Sequence, residues 1–295
     1  MFTGLVQATG LVRQIRPMAN GSLVRLVVQP ESWDYRPEVG DSVCVSGVCL
    51  TVAGAAAQGA PPDWWPFDVV PETLSRTTLG GLGLASRVNL ERSVTAATLM
   101  GGHFVQGHID GVAEVVAVRS GPDWRVVIRP PAALFPYLTP KGSVCIDGVS
   151  LTIAELFPSG QAAPGQTPGH APTPGATPAP EASDGPARGG RDHAAGDGAA
   201  EGGGGGAVGS GGEGGSGSSG SGAGGAGGAG GGAFSVALIP TTLAKTTLGA
   251  LKPGARVNIE CDVLTKAVVH TLRTSLPTIL AGWNSSAQAG APRQG

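Results

Sequence analysis

A chain of 295 residues with a formal net charge of −2, 14% charged residues and no basic run carries no electrostatic footprint for nucleic acid or an anionic membrane. No apolar stretch approaches the roughly 20 residues that span a bilayer, and the opening MFTGLV is not a charged region followed by an apolar one. A soluble intracellular protein is therefore expected, in the cytoplasm or a plastid stroma, and its four cysteines (Cys44, Cys49, Cys145, Cys261), lacking paired CxxC spacing, read as reduced thiols.

From the N-terminus onward the segments are short and β-like. LVRLVV at 23–28, DSVCV at 41–45 and VCLTV at 48–52 are rich in Val and Leu, bounded by turn residues, and free of long helical periodicity. ETLSRTTLG at 72–80 reads as a helical turn with Glu72 and Thr73 early in it, and TTLAKTTLG at 241–249 repeats it with Thr242. Residues 158–232 hold 29 of the 51 glycines, no Phe, Trp or Tyr, and Val208 as their only large aliphatic side chain. Such a segment buries too little apolar surface to offset the entropy of ordering it, so disorder is expected. Setting these 75 residues aside from 295 leaves 220, room for two small domains. From Asp262 onward, Leu264, Val268, Leu272 and Leu276 recur every four residues, predicting a helix over 262–281 that Pro277 brings to its end, then a tail over 282–295. The apolar stripe either packs on its own chain or makes an oligomer contact.

An internal repeat organises the rest. DSVCVSGVCLTV at 41–52 returns as GSVCIDGVSLTI at 142–153, an offset of 101. VVPETLSRTTLG at 69–80 returns as LIPTTLAKTTLG at 238–249, and RVNLE at 87–91 as RVNIE at 256–260, both at an offset of 169. The growth of the offset by 68 places an insertion inside the second copy, where the Gly-rich block lies. Two tandem six-stranded Greek-key β-barrels in an all-β chain are expected, over 1–100 and 101–261, with the insertion looping out of the second.

MFTGLV, the pair GVCLTV and GVSLTI, GGHFVQGHIDG at 101–111 and the two TTLG elements together resemble the α-type riboflavin synthase family, whose two lumazine-binding repeats form six-stranded barrels. The resemblance runs from Met1 to about Leu276, apart from the insertion. It implies a homotrimer held by the C-terminal helix, with each site lying between the first barrel of one subunit and the second barrel of the next. The reaction it implies is the cofactor-free dismutation of two 6,7-dimethyl-8-ribityllumazine molecules into riboflavin and 5-amino-6-ribitylaminouracil. Carried over by position, the ligand contacts are Gly4, Leu5, Val6; Cys49, Leu50, Thr51; Asp68, Val69, Val70, Pro71, Glu72, Thr73; Gly107, His108, Ile109; Lys141; Ser150, Leu151, Thr152; and Ala237, Leu238, Ile239, Pro240, Thr241, Thr242. One departure stands out: Thr241 occupies the position where the family carries Glu, matched here by Glu72 in the first copy.

The residues fit that chemistry. A proton must leave the methyl group on C7 of one lumazine and a nucleophile must add at C7 of the other, which calls for hydroxyls, a thiol or an imidazole. In a VCLTV strand Cys49 and Thr51 share one face and Leu50 the other, and Ser150, Thr152 and Leu151 repeat this. Equivalent positions also differ: Leu5, Gly40, Ser46, Cys49 and Glu72 in the first copy against His108, Lys141, Asp147, Ser150 and Thr241 in the second. The catalytic candidates are thus His108, Ser150, Thr152 and Cys49, with His108 the proton shuttle because imidazole is the side-chain type suited to that role. Cys49 is either a nucleophile or a small apolar residue, as Cys44 and Cys145 are read. His103, five residues from His108, is placed on the opposite face of an extended strand, and no zinc site is assigned. A non-catalytic lumazine or flavin carrier is the competing class; retention of His108, Lys141, Ser150 and Thr152 in the second copy favours catalysis.

Excising residues 160–230 and closing the gap with a short Gly-Ser turn is expected to leave solubility and activity intact, since loop-closure entropy changes by only about 2 kcal/mol. Loss of soluble protein would contradict the insertion.

Overall fold

The computed structural model describes residues 1–18, 23–54, 61–161 and 231–289, the last ten of these as backbone only. The expected disorder of 158–232 falls almost wholly on residues outside this description. All described elements belong to one unit, Met1–His170 with Gly227–Gly295.

The first copy forms β1 (Ala8–Pro17), β2 (Val24–Glu31), β3 (Ser42–Val45), β4 (Val48–Thr51), β5 (Trp65–Val69), α1 (Pro71–Arg76) and β6 (Arg87–Arg92). Its sheet runs β4-β3-β6-β1-β2-β5, and its ends approach at the single bridge Val52↔Phe67. The second copy forms β7 (Gly111–Arg119), β8 (Arg125–Arg129), β9 (Ser143–Ile146), β10 (Val149–Phe157), β11 (Ala233–Ala237), α2 (Pro240–Lys245) and β12 (Arg256–Cys261), and closes into a six-stranded barrel. Bulges recur at matched places, between Val12 and Gln14 and between Val115 and Ala117. An extra residue there bends and twists the strand, which lets so small a sheet curl. Alternation fills the interiors: β2 sends Leu26 and Val28 into the first core, and β8 sends Val126 and Ile128 into the second.

The copies meet hairpin to hairpin. The turns Ser46-Gly47 and Asp147-Gly148 have positive φ at both residues, 45° and 86° in the first, 45° and 83° in the second, the two-residue turn that matches strand twist. A Cβ on Gly47 would lie 2.9 Å from Gly148 N, so the turns touch only because both are glycine. The asparagine of each RVN motif reaches across: Asn89 Nδ2 donates to Asp147 O and Asn258 Nδ2 to Ser46 O, each at 2.8 Å. Their Oδ1 atoms accept from Thr247 N at 2.8 Å and Thr78 N at 2.7 Å. Phe2, Cys44, Val105 and Cys145 make a small apolar cluster beside this contact, and burial pushes both of these cysteine thiols well up, as expected of inert core thiols.

The terminal helix α3 (Val263–Ala289) continues beyond the stop expected at Pro277. Proline there removes one backbone donor, and an exposed helix face leaves the orphaned carbonyl to water, so the helix persists. Leu264, Val268, Leu272 and Leu276 are 43–61% exposed, so the described residues leave the stripe largely uncovered. Lys266 ties the helix down by bonding Asp110 at 2.9 and 3.0 Å, and Arg273 sits 5.4 Å over the Tyr137 ring.

Asp147 is the buried titratable group of the contact; its Oδ1 accepts from Asn258 N at 2.8 Å, and burial pushes its carboxyl up to about 7. The folded state then holds a proton that the unfolded chain releases near the ordinary aspartate value, so stability should fall as pH rises from about 4 to about 7. Asp147→Asn preserves an acceptor for Asn258 N and is expected to flatten this slope in urea denaturation. An unchanged slope would show that Asp147 stays ionised.

Candidate functional site

The leading segment of each copy crosses to the other barrel. Thr3 donates from its N–H and its hydroxyl to Glu91 Oε1, each at 2.7 Å, and Gly4 N donates to Oε2 at 3.0 Å. In the second copy Gln106 N and Gly107 N donate to Glu260 Oε1 and Oε2 at 2.7 and 2.9 Å, with His108 N also on Oε2 at 3.1 Å. Burial raises both carboxyls above the usual range, while these donors pull the other way. Beyond the glutamates, Ser150 N donates to Gly4 O at 2.8 Å and Cys49 N to Gly107 O at 2.9 Å. Val6 packs on the second core and Ile109 on the first.

Two mixed sites result. Gly4, Leu5 and Val6 join Ser150, Leu151 and Thr152 of β10, and a cavity of about 410 Å³ lined by Thr3, Leu5, Val6, Arg92, Leu99 and Lys245 connects this segment to α2. Ala237, Leu238, Ile239, Pro240, Thr241 and Thr242 lead from β11 into that helix, and Lys141, with φ 65°, turns the chain into β9. On the other side Gly107, His108 and Ile109 join Cys49 of β4, while Leu50 is core and Thr51 is exposed. Asp68, Val69, Val70, Pro71, Glu72 and Thr73 lead from β5 into α1. Asp68 is held by Arg25, whose Nη2 donates at 2.8 Å, and Glu72 pairs with Arg76 at 2.8 Å on an exposed face.

This exchange corrects the grouping expected from order in the chain. His108, read with Ser150, Lys141 and Asp147 as one second-copy set, lies beside Cys49 of the first barrel with its side chain exposed, and Asp147 is buried between the barrels. The imidazole that meets Ser150 is His103: Nδ1 lies 2.7 Å from Ser150 Oγ. Residues 103–108 are not a regular strand, only a bridge from Val105 to Phe2, and His103 and His108 lie apart, the first against Ser150 and the second beside Cys49. Burial holds the His103 imidazole below its ordinary value against the opposing pull of Asp262, which favours its neutral form. Nδ1 and the Ser150 hydroxyl share one hydrogen bond whose direction follows the imidazole tautomer, and Nε2 is buried without a partner among the described residues. Among the described residues no three His, Cys, Asp or Glu side chains cluster in a way that could hold a metal, and no helix is long and apolar enough to cross a membrane.

The lumazine binding domain profile matches residues 3–93, 106–164 and 227–262. A riboflavin synthase of Mycobacterium tuberculosis is 31% identical over 276 residues, 93% of this chain and all of that protein. The chain belongs to the riboflavin synthase family. Riboflavin synthase of Chlamydia pneumoniae is 29% identical over 94% of this chain and 97% of its own length. The fold is also that of LumP, solved in complex with 6,7-dimethyl-8-(1'-D-ribityl) lumazine, which superposes with a TM-score of 0.54 at 19% identity over 88% of this chain and 99% of the other.

Within this riboflavin synthase family member, sequence reading passed over Asn89, Glu91, Asn258 and Glu260, although the repeated RVN-E pattern displayed them. Their use became visible only once the partners across the barrels were known. The crossing also fixes Gly4 and Gly107, whose φ values are 75° and 79° and whose Cβ atoms would lie 2.8 Å from Ser150 N and 2.7 Å from Cys49 N. Gly4→Ala and Gly107→Ala should each destabilise the fold by about 1–3 kcal/mol through strain alone. Denaturation midpoints within error of the parent protein would contradict the close approach.

Proposed function

We propose that the chain is an enzyme of riboflavin synthesis that dismutates two molecules of 6,7-dimethyl-8-ribityllumazine into riboflavin and 5-amino-6-ribitylaminouracil. Two identical substrates equal the two products atom for atom, so the reaction calls for no oxidant, reductant or carrier. It needs two ligands held together, a base for the methyl group on C7 of the donor, and a nucleophile at C7 of the acceptor. The observation that carries this reading is the pair of mixed sites, alike in frame and unlike in reactive groups: Ser150 with His103 in one, Cys49 with His108 in the other. A carrier needs only one such site.

In the second-barrel site His103, with Ser150 as relay, takes the proton from the donor, and Thr152 and Lys141 complete its polar edge. In the first-barrel site the acceptor lies against Cys49, Thr51 and His108. The partners are two lumazines and further copies of the chain, in a homotrimer packed through the uncovered stripe of α3, so that first and second barrels of neighbouring protomers face each other.

Purified full-length protein incubated with the lumazine alone should generate riboflavin fluorescence, one flavin for every two lumazines consumed. Binding without turnover would favour the carrier. His103→Ala and Ser150→Ala should each lower kcat about 10²- to 10⁴-fold, with the double variant little worse than either single one, because the two act as a unit. Leu5→Ala should act mainly on affinity. If His103→Ala is near normal while Cys49→Ser abolishes turnover with binding intact, a thiolate in the first barrel takes over the leading role.

A further inference from the structure

In α1 the first-turn Glu72 and last-turn Arg76 form an exposed i,i+4 pair at 2.8 Å. In α2 the same two positions are Thr241 and Lys245, so the cation survives and its carboxylate partner does not. Lys245 makes no ion pair within the described residues, and it lines the cavity that holds Leu5 and Val6. The other charged groups lining that cavity are Arg92 and Glu91 of β6; the segment from Thr3 to Gln7 and the stretch carrying Thr98 and Leu99 contribute none. Both oxygens of Glu91 are turned to Thr3 and Gly4, and Glu260 does the same in the other copy, so this charge is common to the two sites. The cavity between the Thr3–Gln7 segment and α2 therefore holds two cations against one carboxylate, Arg92 lying also 5.7 Å over the Tyr35 ring. By the repeat, the first-barrel positions matching Leu5, Gln7, Glu91 and Ser93 hold His108, Asp110, Glu260 and Asp262, while Arg76, matching Lys245, is paired to Glu72, and Lys266 to Asp110.

We propose that Lys245, set free by Thr241, makes the second-barrel site selective for the anionic, deprotonated lumazine and so fixes it as the donor site. When the methyl C–H bond on C7 breaks, the proton goes to the base and the electron pair stays on the ligand, delocalised into the ring, leaving it with one negative charge. A cation at the cavity wall favours that form through the field alone, with no requirement for direct contact; the acidic surroundings of the other site disfavour it. Lys245 is a positioning group for charge rather than a catalytic residue. The inference rests on the lumazine-binding reading given above.

The test is stopped-flow absorbance of 6,7-dimethyl-8-ribityllumazine mixed with excess full-length protein, read before the first turnover across a pH series, so that the bound ligand's own ionisation is followed. The parent protein should show two bound populations, one ionising at lower pH. Lys245→Ala and Thr241→Glu, which restores the pairing of the first copy, should each raise that lower value by about 0.5–1 pH unit, less at high salt. Lys245→Arg should retain it, and Arg76→Ala should leave it unmoved. If the ligand binds and Lys245→Ala and Thr241→Glu leave the lower ionisation where it was, the proposal fails while the lumazine reading stands. Absence of any bound population would overturn the reading itself.

Discussion

Glu91 and Glu260 are buried carboxylates that end the last strand of each copy, and the architecture of both sites depends on what they hold. Removing a carboxylate from water is costly unless donors replace its hydration shell, and here the replacements are backbone N–H groups of the segments around Gly4 and Gly107. Each glutamate thereby pins a segment with no strand of its own at the point where it must leave its barrel. The glycine that follows permits backbone contact with the opposite barrel, and the residues next in line, Leu5 and His108, arrive beside Ser150 or Cys49.

Exchange of this kind converts two small barrels into an interdependent pair. Neither site can be assembled by one copy, since Leu5 meets the second barrel and His108 the first. The asparagines of the RVN motifs act in the same sense, each giving its amide group to the other copy's hairpin turn and its carbonyl oxygen to the other copy's helical connection. Small barrels bury a limited core, so polar contacts of good geometry at the junction matter for holding one relative placement. Divergence between the copies can then specialise the two sites while the frame stays symmetric.

Much of this was legible in the sequence because β-strand alternation and the repeat act together. Alternation placed Leu50 and Leu151 on the face opposite Cys49 and Ser150, where the structure packs both leucines on the cores, and the repeat equated Gly4 with Gly107. A repeat identifies equivalent residues but not neighbours, so it could not reveal that a segment serves the opposite copy; His108 was grouped by order in the chain, and the contact of His103 with Ser150 had no signal in the spacing. Pro277 misled for a different reason. On an exposed face the carbonyl that proline leaves without a donor is hydrated, so the one lost hydrogen bond need not end the helix.

The central claim is that each site is built from both copies. A crystal structure of the protein with bound riboflavin tests it most directly. One ligand is expected to touch Leu5 together with Ser150 and another His108 together with Cys49. A ligand held by Leu5 and Cys49, with His108 and Ser150 sharing the second, would contradict it.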